Sequence, residues 1–379
     1  MSEPLKDFFG PKTVRRIAQM IHSVWRPFPV DRFVRTALDG YEPLSLIGRG
    51  QQIAEAMRQH LPADYPRAVA ILLESLGAGP ASPKEGGAMA PFLYLPHTQF
   101  IAKYGLDHFE ESMRAQYEIT QRFTAEFSIR AFLEKFPDET LARLQTWTKD
   151  PSAHVRRLVS EGTRPRLPWA SRLRAFQKDP RPVLALLEQL KDDPELYVRR
   201  SVANSLNDIG KDHPDLLVAT ARRWLKDATP ERRWIVRHAL RSAVKRAEKG
   251  ALEVLGFGDG AEVSIRNREV LPARAIMGTH VQMTFEMRNP GTRPQRVMAD
   301  LRVFFVKANG RAQPKVFKLK AMELAPGAKV IVRKKVSLAN LTTRKHYPGR
   351  HRVDLVLNGV ARPLGMFEVV PRARSKAER

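Results

Sequence analysis

The chain has 379 residues, room for two domains, and its 65 Lys and Arg against 40 Asp and Glu give a formal net charge of +25. Such an excess points to a polyanionic partner, and the absence of cysteine excludes disulfides, thiolate metal sites and a cysteine nucleophile. No stretch approaches the roughly 20 apolar residues of a membrane span, so a cytoplasmic protein with no membrane partner is expected.

Apolar residues recur at helical spacing through about the first 250 residues. Within them a unit repeats. Asp150 and Pro151 precede Val155, Arg156 and Arg157; Asp193 and Pro194 precede Val198, Arg199 and Arg200; Pro230 precedes Val236, Arg237 and His238. The three valines are 43 and 38 residues apart, and Ile129 with Arg130 forms a looser, earlier copy. Amphipathic stretches at 183–190 and 216–225 lie between the copies. A period near 40 residues with two helices per unit predicts a HEAT-like solenoid. One helix pair cannot bury its apolar stripe alone, so neighbours stack and share a core. The Asp or Thr before each Pro is expected to cap the helix, since Pro fits a first turn whose N–H has no partner.

Residues four apart share a helix face. Arg157 with Glu161, then Arg200, Asn204 and Asp208, then Arg237, Arg241 and Lys245, form three such lines. Cations on three stacked helices predict a groove for a phosphate backbone, which supplies affinity and register but no sequence information. Such a groove should repel carboxylates, yet Glu126, Glu161 and Asp208 fall on or beside it. Either each acid orients a neighbouring arginine, or the acids stabilise positive charge that a bound nucleic acid develops. Cleavage of a glycosidic bond develops such charge on the sugar. The segment EGTRPRLPW, 161–169, ends a repeat helix and carries Trp169. An indole face attracts a cation within about 6 Å, although Trp169 taken alone reads more readily as a loop anchor packed on the solenoid.

Past residue 260 the pattern changes to short alternating runs at 281–287, 301–307, 316–319, 330–336 and 353–357. Asn289, Pro290 and Gly291, and then Pro326 and Gly327, punctuate them, which predicts a β-sandwich. The boundary falls in the Gly-rich turn 256–260. Expected domains are therefore 1–258 and 261–371, with 372–379 a basic tail. Residues 262–379 hold 25 Lys and Arg against 8 Asp and Glu. Basic loops at 293–296, 333–335 and 344–350 are expected to cover DNA.

EPLKDFFGPK at the start, TAEFSIRAFL (124–133), VRRLVSEGTRPRLPW (155–169), VRRSVANSLNDIGKDHP (198–214) and WIVRHALR (234–241) together resemble bacterial DNA alkylation repair proteins of the AlkC family. The resemblance runs through nearly the whole chain. It implies a HEAT-like-repeat DNA glycosylase related to AlkD, in the branch with a C-terminal immunoglobulin-like domain. It also implies excision of 3-methylcytosine and 1-methyladenine from duplex DNA without base flipping, with 3-methyladenine a further candidate. The family's acids fall on Glu126, Glu161 and Asp208 and its indole on Trp169, without assigning each acid a role.

The expectation is thus a multi-domain α + β protein, a solenoid followed by an immunoglobulin-like sandwich, acting as a monomeric DNA N-glycosylase without a cofactor. Glu126, Glu161 and Asp208 would stabilise developing charge and position a water at C1′, with Trp169 packed on sugar or base. Arg157, Arg164, Arg200, Arg237 and Arg241 would hold phosphates, with Asn204 and His238 beside them. No lysine stands out for Schiff-base chemistry, so excision should leave an abasic site uncut. The alternative is a non-catalytic HEAT-repeat nucleic-acid-binding scaffold. A protein-interaction scaffold with an adhesion domain conflicts with the charge.

Overall fold

The computed structural model describes residues 5–77, 90–258, 261–341 and 344–371. The expected tail at 372–379 and the end of the boundary turn, Gly260, lie outside the described residues. Helices follow one another from Pro11 to Val254, and strands from Ser264 to Val370. Two compact units emerge: residues 1–213 with 227–239, and residues 214–226 with 240–379. The second unit therefore includes the helices Pro214–Leu225, Arg241–Lys245 and Lys249–Val254 besides the strands.

In the first unit the three clear repeats form neighbouring helices. Leu196–Ile209 packs on Ala153–Gly162 and on Pro230–Ala239. The buried stripe of each supplies the shared core: Val155, Leu158 and Val159; Val198, Val202 and Leu206; Ile235, Val236 and Ala239. The leading arginine of each of the first two pairs closes its own turn. Arg156 Nη1 donates to the carbonyls of Asp150 and Pro151, and Arg199 Nη1 to those of Asp193 and Pro194. This explains why Asp-Pro and Val-Arg recur at one spacing.

The capping expectation needs correction at two of three sites. Thr229 accepts from the Arg232 N–H and caps its helix as expected. Asp150 and Asp193 do not cap. Two more residues separate each from its helix, so each accepts the N–H two positions on, from Ser152 and Glu195, in an Asx turn. A second correction concerns the basic line through Arg237, Arg241 and Lys245. The helix ends at Ala239 and another begins at Arg241, so the three do not lie on one continuous helix.

The second unit carries eight described strands: β1 (Ser264–Leu271), β2 (Arg274–Ile276), β3 (His280–Arg288), β4 (Gln295–Val306), β5 (Ala312–Leu324), β6 (Lys329–Ser337), β7 (Gly349–Leu357) and β8 (Val360–Val370). One sheet has the order β1-β3-β6 and the other β2-β8-β7-β4-β5. Pairing is antiparallel except between β2 and β8. Alternate residues point into one common core: Val281, Met283, Phe285 and Met287 from β3 meet Leu301, Val303, Phe305, Val353 and Leu355 of the other sheet. The edge strands β5 and β6 carry lysines and arginines outward, a device that discourages edge pairing. Arg333 to Lys335 lie inside β6, not in a loop as expected.

Candidate active site

Glu126 sits in the turn before the helix Ile129–Lys135. Glu161 is the penultimate residue of Ala153–Gly162, and Asp208 that of Leu196–Ile209. All three acids are buried, Asp208 to 1% exposure. Two arginines join them in a row. Arg157 Nη1 lies 2.6 Å from Glu126 Oε2, and its Nη2 is 3.7 Å from Glu161 Oε1. Arg164 Nη1 donates to Glu161 Oε1 at 2.5 Å, and its Nε to Asp208 Oδ2 at 2.8 Å. Burial works against both guanidinium charges, but the flanking acids outweigh it and hold each pKa above the ordinary arginine value.

Neutral hydroxyls complete the row. Ser160 donates to Ser201, which donates to Glu161 Oε2 at 2.6 Å. Thr124 donates to Glu126 Oε2 at 2.8 Å and accepts from Arg157. At the far end Lys211 Nζ is 2.7 Å from Asp208 Oδ1. No pattern in the chain points to a lysine here; it is bound as an ion-pair partner.

Trp169 differs from everything around it. Its indole is 64% exposed and its backbone takes φ = 64°, the left-handed region that bulky residues avoid. Its loop is fastened from within by Arg130. That buried guanidinium donates to the carbonyls of Gly162 at 3.0 Å and Arg164 at 2.8 Å, and to Ser171 on the other side of Trp169. Burial pulls the Arg130 pKa down to about 10.

The remaining expected residues divide. Arg164 is buried and engaged by two acids, and Arg157 is largely covered by its own two, so neither presents a spare charge to a phosphate. Arg200 and Arg237 are exposed and carry no ion pair among the described residues. Asn204 Oδ1 is bonded to His238 Nε2 at 3.3 Å, and the His238 ring stacks on Trp234 at 4.9 Å. Arg241 belongs to the second unit. Sequence reasoning missed Ser160, Ser201, Thr124, Lys211, Arg130 and Tyr197. The Tyr197 ring lies under the Arg157 guanidinium, 5.1 Å from ring centre to carbon. Only Arg130 carried a signal, as the arginine of the loosest repeat.

Within the second unit, Lys245, Arg246, Arg302, Lys307, Lys315 and Arg344 surround a groove of about 590 Å³ that no carboxylate lines. Arg344 lies over the rings of Phe305 and Phe317. Burial, and then Arg344, Lys245 and Lys307, push the Lys315 pKa down, the mark of a surface crowded with one sign of charge.

The comparisons with known proteins agree with this description. The family described as DNA alkylation repair enzyme matches residues 103–252, and the C-terminal immunoglobulin-like domain described for YhaZ matches 264–371. The uncharacterized protein YhaZ of Bacillus subtilis strain 168 is 34% identical over 96% of this chain and 99% of its own. Among solved structures, the alkylpurine DNA glycosylase AlkC of Pseudomonas fluorescens, bound to DNA containing an abasic site analogue, is 38% identical. It covers 98% of this chain and 100% of its own, with a TM-score of 0.90.

Proposed function

The chain belongs to the AlkC-type branch of the DNA alkylation repair enzyme family, and we propose on that premise that it is a DNA glycosylase for cationic N-alkylated bases. The observation that carries this reading is the buried row of Glu126, Glu161 and Asp208. A DNA-binding groove has no use for three acids beside its phosphates. A reaction that develops positive charge on deoxyribose does, because fixed carboxylates in a water-poor site stabilise that charge without reorganising.

Arg157 and Arg164 then act as spacers. Each bridges two acids and fixes their separation, which reassigns them from the phosphate contacts expected of them. Phosphate binding falls to Arg200 and Arg237. The basic groove of the β-sandwich adds further phosphate contacts on the same duplex. Trp169 presents its indole to the sugar or base, and the acids orient a water toward C1′. A methylated cationic base such as 3-methylcytosine or 1-methyladenine leaves without a protonating acid, so the site needs none. The exposed indole of Trp169 favours attack on an unflipped nucleotide. Lys211 is held to Asp208 as a cation, which favours simple hydrolysis over Schiff-base formation.

Incubation of the protein with duplex DNA carrying one 3-methylcytosine tests this. Free 3-methylcytosine should appear, with strand breaks only after hot alkali. Tight binding of the duplex with no released base would instead favour the non-catalytic scaffold, and breaks before alkali would contradict the hydrolytic mechanism.

A further inference from the structure

Every acid of the row is buried, so substrate reaches it through whatever the row shows to solvent. Tyr197, second residue of its helix, is 43% exposed and touches the row directly. Its ring carries the Arg157 guanidinium on one side, and His154 meets it edge-on at 5.7 Å. Burial raises the phenol pKa; Arg157 lowers it, while Glu126 and Glu161 raise it, which places both carboxylates within electrostatic reach of the ring. A planar cation is thus already seated between this aromatic ring and two acids. The same combination of an aromatic face and carboxylates is what a cationic nucleotide needs. Leu196, its neighbour, is also exposed, so the row opens on an apolar and aromatic patch.

We propose that Tyr197 is a substrate-binding residue of this site, which meets the positive charge of the damaged nucleotide with its ring and feeds it toward Glu126 and Glu161. The proposal rests on the glycosylase reading and deepens it: the ring selects for charge on the nucleotide, beyond holding Arg157 in place. Ring and phenol oxygen make separable demands. A cation is drawn by the face, so Phe replaces Tyr without loss, whereas Leu fills similar space with no quadrupole.

The test compares two duplexes, one with a cationic pyrrolidine in place of a deoxyribose and one with the neutral tetrahydrofuran analogue. The ratio of their dissociation constants is measured for the wild type, Tyr197→Phe and Tyr197→Leu, alongside excision of 3-methylcytosine. The wild type and Tyr197→Phe should prefer the cationic probe to the same degree. Tyr197→Leu should lose roughly 2- to 30-fold of that preference while binding the neutral probe as before. If Tyr197→Leu weakens both probes equally, the ring only supports Arg157 and the proposal is overturned while the glycosylase reading stands. If the wild type neither prefers the cation nor excises the base, both fall together.

Discussion

Trp169 is the residue at which structure and chemistry are most openly in tension. A left-handed backbone at a bulky residue costs of order 1–3 kcal/mol, and such strain persists where a site requires it. The indole recovers little of that cost by packing, since most of it faces solvent. Trp169→Gly should therefore leave the melting temperature unchanged or raise it, while single-turnover excision falls roughly 2- to 30-fold, the range of one cation–π contact. A lower melting temperature with undiminished excision per folded molecule would make Trp169 a loop anchor. The placement of Trp169 in a Pro-bracketed loop was legible in the sequence. Its strain was not, because no propensity rule assigns a tryptophan a positive φ. The acids divide in the same way. Glu161 and Arg157 are one helical turn apart and can be paired on paper, but Arg164 and Asp208 lie 44 residues apart and meet only through the stacking of two repeats.

At the scale of elements, the repeat was readable because in its first two copies one arginine ties the helix to the preceding turn. The residues needed for that bond keep their spacing whatever the rest of the helix does. The third copy departs from the pattern: its helix ends at Ala239, and Arg241 opens another. In the sandwich, alternation marked β3, β4, β5, β6 and β7. It failed for β1, which is mostly exposed and broken by a bulge near Asn267, and for β8, where Pro363 and Gly365 interrupt the pattern. One helix also carries a testable cost. His97 in Leu95–Tyr104 is fully buried, neither ring nitrogen has a hydrogen-bond partner among the described residues, and burial pushes its pKa down to about 4. The unfolded chain takes up a proton near pH 6.5 while the folded chain refuses it. The stability involved is whole above about pH 6.5, declines as pH falls toward 4 and levels off below, with a total on the order of 3 kcal/mol. His97→Phe should flatten part of this decline in urea midpoints measured between pH 7.5 and 4.5. His346, also lowered to about 4, and His60, His154 and His351, lowered as well, keep the remainder. An unchanged slope in the variant would show that His97 titrates normally.

For the molecule as a whole, the charge is unevenly divided. Most of the excess lies beyond residue 261, where no acid row needs neutralising, and it gathers in the groove around Lys307, Lys315 and Arg344. Each neutralised phosphate contributes about −0.9 to the slope of log affinity against log salt. Replacing those three cations together by Ala should make the slope shallower by roughly 2 to 3 and weaken binding to any duplex, damaged or not. An unaltered slope would confine DNA binding to the repeats. Net charge alone foretold a polyanion, and the charge count foretold which half carries the excess. It did not foretell the groove, because Lys245 and Arg344 are far apart in the sequence of the second unit and only the fold brings them together.

The central claim is that buried carboxylates act in the chemistry, and Glu161→Gln tests it most directly. The amide keeps the size of the side chain and an acceptor for Ser201 while removing the charge. Fixed charges of this kind are worth about 2.7–4 kcal/mol of barrier. The measurement is the single-turnover rate of 3-methylcytosine release, with the dissociation constant for the same duplex determined in parallel. The rate should fall by about 10²–10³ with affinity within a few-fold of wild type. Release at the wild-type rate by the folded variant would contradict the claim.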